Sequence, residues 1–108
     1  MASALASLSA GAGERDVVPP DAVTLRLVIE RHRFTPEILH APAGKMVVIE
    51  LENRDDTPEE FESRRLRKEF GLRGHQSGRF VIKPHPAGRY EFVGEFHAQT
   101  AHGALIIE

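Results

Sequence analysis

Tyr90-Glu91-Phe92-Val93-Gly94-Glu95-Phe96-His97-Ala98-Gln99-Thr100-Ala101-His102-Gly103, running on into Ala104-Leu105-Ile106-Ile107, decides what kind of chain this is. Tyr90 and Phe92 alternate with Glu91, the period of a strand with one buried face. Residues 104–107 are a second apolar run, so the segment between is a loop joining two strands. His97 and His102 stand five positions apart on it, and two imidazoles so placed suit metal binding.

Working outward, the same period recurs. Val23, Leu25, Leu27 and Ile29 share one face of a strand over residues 23–30, and Val47, Ile49 and Leu51 share one face over residues 46–52. Residues 34–39 read as a short strand in which Pro36 predicts an edge position. Residues 79–83 and 89–93 add two more strands, and Pro42-Ala43-Gly44-Lys45 and Pro84-His85-Pro86-Ala87-Gly88 supply turns. Short strands punctuated by proline and glycine predict an all-β sandwich or barrel. Residues 57–70 resist the pattern. Thr57-Pro58-Glu59-Glu60 has the form of a helix cap, yet Phe61, Leu66 and Phe70 make no continuous helical stripe, so the segment reads as a loop passing into an irregular strand, with one short helix as the alternative.

A length of 108 residues allows one domain with a modest core. The 14 basic and 16 acidic residues nearly cancel and no aromatic RNA-binding motif or basic helix is present, so no nucleic-acid partner is expected. The absence of cysteine removes disulfides, thiolate metal ligands and thiol nucleophiles, leaving imidazole and carboxylate for any site chemistry. No apolar run approaches the roughly 18 residues needed to span a bilayer. Residues 1–21 read as a leader plus an extended linker. The leader is either the tail of a secretory signal, with Ala2-x-Ala4 and Ala4-x-Ala6 resembling cleavage sites, or an unpatterned Ala/Ser/Gly segment, and residues 22–108 form the domain.

Five carboxylates, Asp55, Asp56, Glu59, Glu60 and Glu62, crowd one segment and offer a hard cation oxygen ligands. Arg64, Arg65, Arg67 and Lys68 follow at once. A surface ion-pair network is the plain expectation for them, and a basic patch docking an acidic partner is the alternative. His32, His40, His75 and His85 have no partner at metal spacing and are expected at the surface, and Ser63 has no histidine and aspartate arranged for a hydrolase.

Phe34-Thr35-Pro36, Ala41-Pro42-Ala43-Gly44-Lys45, Thr57-Pro58-Glu59-Glu60-Phe61-Glu62-Ser63, Pro86-Ala87-Gly88-Arg89-Tyr90 and Gly94-Glu95-Phe96-His97 together resemble the cupredoxin-like proteins found beside bacterial iron permeases, akin to the cupredoxin domain of periplasmic iron-uptake lipoproteins. The resemblance covers roughly residues 22–108. It implies a Greek-key β-sandwich with its metal loops gathered at one end, and a periplasmic location. Blue-copper relatives carry Tyr-x-Phe-x-Cys, then x-x-His, four more residues and a Met, which places the Cys on Gly94, the His on His97 and the Met on His102, while the first His ligand falls on Glu59. Without a thiolate the site cannot be blue copper. The resemblance therefore implies a metal set of Glu59, His97 and His102, with Glu62 and Glu95 in reach, holding copper of type 2 and/or iron. It further implies assistance to ferrous iron oxidation, a ferroxidase-type activity, or transfer to an iron permease or another periplasmic iron-uptake component. The alternative is a metal-free β-sandwich interaction module of a transport complex, and monomer and dimer are both open.

Overall fold

The computed structural model describes residues 17–108, and the leader expectation for residues 1–16 lies outside them. Nine strands follow in order: β1 Val23–Glu30, β2 Arg33–Thr35, β3 Ile38–Ala41, β4 Val47–Asn53, β5 Glu59–Ser63, β6 Lys68–Leu72, β7 Ser77–Ile82, β8 Gly88–Gly94 and β9 His102–Ile107, with a 3₁₀ turn at Glu95–His97 between the last two. They form a four-stranded sheet in the order β2-β1-β4-β7 and a five-stranded sheet in the order β3-β9-β8-β5-β6. Both sheets are mixed, with β1 parallel to β4 and β3 parallel to β9. The result is the expected all-β Greek-key sandwich. No helix among the described residues is long and apolar enough to cross a membrane.

The short strand read over residues 34–39 is two strands. Arg33–Thr35 pairs with β1 in one sheet and Ile38–Ala41 with β9 in the other, so the chain changes sheet at Pro36-Glu37. Each piece is an edge strand, and Pro36, which lacks an amide donor, falls in the crossover between them.

Residues 57–70 resolve as a hairpin. Phe61 lies opposite Phe70 on β6 and opposite Gly94 on β8, and the alternation of β5 turns Glu59, Phe61 and Ser63 inward. Helical propensity loses because Phe61 belongs to the core: its ring stands 4.8 Å from Phe80, 4.9 Å from Phe92 and 6.2 Å from Phe34. A helix would withdraw that ring and leave β8 without its neighbour. The four-stranded sheet, which carries Phe34 and Phe80, adds Leu27, Ile29, Ile49, Leu51 and Ile82 to the same core, all of them buried. Ser63 is also buried, donating to the Glu91 carbonyl at 2.7 Å and accepting from the Leu66 amide, so its hydroxyl serves the hairpin.

Removing the central ring should leave a cavity the neighbours fill only in part. Phe61→Ala is expected to lower unfolding free energy by about 3–5 kcal/mol in urea titration, whereas exposed Glu69 changed to Ala should leave the midpoint nearly where it was.

Candidate functional site

Asn53, buried at the end of β4, organises the loop that leads to the site. Its side-chain amide donates to the carbonyls of Thr57 (2.8 Å) and Arg73 (3.1 Å), and its oxygen accepts from the Asp55 amide (3.0 Å). The loop so braced delivers Glu59 to the first position of β5, where the side chain is 1% exposed. A carboxylate cannot stay there without partners, and Glu59 has them. Its Oε1 accepts from the amides of Glu60 and Phe96, both at 2.9 Å, and its Oε2 stands 2.7 Å from His97 Nδ1. An imidazole nitrogen and a carboxylate oxygen at that distance hold one proton between them. The loop bearing His97 is closed by its own carbonyl, which accepts from the amides of Thr100 and Ala101, while the Gly94 amide donates to Ala101.

Gly94, beside this pair, has no room for a side chain. A Cβ there would meet the Glu59 carboxyl carbon at 2.7 Å, its Oε2 at 2.8 Å and the Ala101 Cβ at 2.8 Å, all inside normal contact. The Glu59 carboxyl group fills the space a cysteine side chain would need.

Another residue of this end was hidden in the sequence. The imidazole of His32 lies flat on that of His97, with ring centres 3.6 Å apart and planes 7° from parallel. His32 reaches it from the two-residue turn joining β1 to β2, where Arg31 and His32 both hold positive φ, at 56° and 58°. Such turns favour Asn-Gly; here the Asp55 carboxylate compensates by accepting from the Arg31 amide at 2.7 Å and the His32 amide at 2.9 Å. Burial pushes the Asp55 carboxyl up, but those amide bonds, together with the imidazoles of His32 and His97, more than offset it and hold the group below the usual carboxylate range. Nothing in local spacing announces His32. The trace it leaves is a tight two-residue turn without glycine or asparagine.

The remaining candidates lie apart from Glu59 and His97. His102 opens β9 opposite Val93, which puts it on the outer face of the five-stranded sheet beside Glu37, Arg89 and Glu91. Glu62 also faces outward, because it alternates with inward Phe61 and Ser63. Glu95 is exposed in the 3₁₀ turn. Asp56 pairs with His75 at 2.6 Å on the exposed rim. Among the described residues no three His, Asp or Glu side chains are gathered as a metal cage. A resident copper ion held in the blue-copper manner does not fit: sulfur is absent, the thiolate's place is filled, and Glu59 and His97 already bond each other.

The fold defines a cupredoxin-like sandwich, with Glu59 and His97 bonded to each other at one end. The chain belongs to the cupredoxin-like domain family, whose profile it matches over residues 1–107. It is 34% identical over 92 residues to the uncharacterized protein RP394 of Rickettsia prowazekii (strain Madrid E), covering 85% of this chain and 74% of that one. Among solved structures it is similar to auracyanin A, a "blue" copper protein of Chloroflexus aurantiacus, at 14% identity and a TM-score of 0.69, covering 82% of this chain and all (100%) of the other. The metal-binding domain of the Streptococcus pneumoniae Cu(I)-exporting P-type ATPase CopA superposes with a TM-score of 0.71 at 14% identity over 85% of this chain and 91% of that one. At these identities the structures share the fold.

Two expectations follow. Gly94→Ala should destabilise the protein by about 1–3 kcal/mol, and the loss should shrink when Glu59 is shortened to Ser, a coupling that a double-mutant cycle in urea reads directly. Because the Asp55 carboxyl lies lower folded than unfolded, the stability it contributes is present above the unfolded value and lost as pH falls through the folded one. Acidification below about pH 4 should lower the thermal midpoint, and less steeply in Asp55→Asn.

Proposed function

We propose that this cupredoxin-like protein handles an oxidised or oxidisable metal ion, copper or iron, as transient cargo or substrate at the Glu59–His97 end. The observation that carries the proposal is the 2.7 Å contact between Glu59 Oε2 and His97 Nδ1. Both atoms are metal ligands when they give up the proton they share. Carboxylate oxygen and imidazole nitrogen form a harder pair than a blue site, suited to Cu(II) or iron and giving a pale, type 2 copper signal. Asp55, His32 and the Asp56–His75 pair surround the same end and add to its attraction for a cation. The setting proposed is the periplasm, with ferrous iron oxidised there at the expense of dioxygen, or ferric iron passed to an iron permease.

A metal-free role also has an observation in its favour. Glu59 has a partner for each oxygen without any ion, so the end of the sandwich is closed as it stands. On that account the chain is an interaction module of a transport complex.

Titration calorimetry with Cu(II), repeated in buffers of different ionisation enthalpy, separates the two. Metal handling predicts one ion bound per chain at micromolar concentrations with release of about one proton at neutral pH, a type 2 electron paramagnetic resonance spectrum with nitrogen coupling, and loss of both in His97→Ala and Glu59→Gln. Absence of uptake of both copper and iron at those concentrations would leave the metal-free role.

A further inference from the structure

Among the described residues the basic run after β5 forms no ion-pair network: none of Arg64, Arg65, Arg67 and Lys68 lies within ion-pairing distance of a carboxylate. The run instead turns over the connection between β7 and β8, at the end of the sandwich opposite Glu59. There, Arg65, Leu66, Arg67, Lys68, Lys83 and His85 line a cavity of about 340 Å³. Four of the six carry a fixed positive charge and none is acidic, in a chain whose net charge is −2. Arg67 and Lys68 also border an adjoining groove that they line together with Glu62, Ser63, Arg64 and Glu69.

The walls of this cavity are held in place. The Arg65 guanidinium donates to the Arg89 carbonyl at 2.6 Å and lies 4.6 Å over the Tyr90 ring. His85 stands edge-on to the same ring at 5.2 Å, and its Nδ1 donates to the Lys83 carbonyl at 2.6 Å. A carbonyl only accepts, so in that bond Nδ1 carries the proton and Nε2 is left for another partner. Tyr90, buried and donating to the Pro86 carbonyl at 2.7 Å, ties both walls to the core. Leu66 is 5% exposed and closes the floor. Bringing four cations around one concavity costs repulsion unless an anion shares it. Arginine and lysine donors over a small pocket match a compact, multiply charged oxygen anion.

We propose that this cavity is a binding site for a phosphate-type oxyanion, contacted by Arg67, Lys68, Lys83 and His85 with Arg65 as a fixed wall. The group is either free in solution or the headgroup of an anionic phospholipid. Because β5 separates it from Glu59 by the length of a strand, occupancy here leaves the Glu59–His97 end open, and the proposal does not depend on metal handling.

Nitrogen–proton correlation spectra of the whole chain, titrated with inorganic pyrophosphate, test it. Saturable shifts are expected at the amides of residues 66–68, 83 and 85, with affinity weakened at least about tenfold in an Arg67→Gln/Lys83→Gln double variant and unchanged in Arg26→Gln, which alters a cation on the opposite sheet. Co-sedimentation with phosphatidylglycerol vesicles, absent with phosphatidylcholine vesicles and competed by pyrophosphate, assigns the headgroup as the source. Pyrophosphate binding without vesicle binding assigns a soluble anion. Binding to neither probe, or binding that the double variant leaves unchanged, overturns the proposal.

Discussion

The buried carboxylate of Glu59 is the constraint around which this end of the molecule is arranged. It is fully enclosed, so each oxygen must be matched, and the matching fixes three other features at once. The Phe96 amide must point inward, which sets the 3₁₀ turn after β8. His97 must present Nδ1 to Oε2. Gly94 must lack a side chain, because the carboxyl group stands where a Cβ would go. Glu59 on β5 and Gly94 on β8 are therefore matched to each other in space.

Around that pair the fold supplies a second layer. Asn53 holds the loop from β4 to β5, and Asp55 on that loop reaches across to the β1–β2 turn and holds His32 flat against His97. A turn with two side-chain-bearing residues at positive φ is costly. Here the cost is offset by a carboxylate that takes both amides and by the stacked rings. The imidazole pair is thus a consequence of tertiary hydrogen bonding, with no local preference behind it.

Strands with apolar inward positions were legible in the sequence: β1, β4, β7, β8 and β9 follow their period-two faces to within a few residues. The β5–β6 hairpin was not, because two of the three inward residues of β5 are Glu59 and Ser63, which break the apolar alternation and carry helix-capping chemistry instead. Each is buried by hydrogen bonds that only the folded chain provides. At the site, Glu59 and His97 were legible through the family pattern, and the structure brings those two together. His102 and Glu62 are near in sequence but fall on outward positions, since a strand sends neighbouring side chains to opposite faces, and Glu95 is exposed in the 3₁₀ turn. His32 was illegible because its partners, Asp55 and His97, are contributed by distant segments.

The molecule is also polar end to end. Imidazoles and carboxylates gather at the end built by β5, β8 and the β1–β2 turn, and arginine and lysine gather at the other. The account rests on the first of these ends: Glu59 and His97 are proposed to share a proton that a metal ion replaces. A crystal structure of the protein after Cu(II) loading tests this most directly. The account predicts one copper ion between Glu59 Oε2 and His97 Nδ1, with the direct bond between those atoms opened. Copper bound elsewhere, such as at His75 and Asp56, with the Glu59–His97 bond intact, would contradict it.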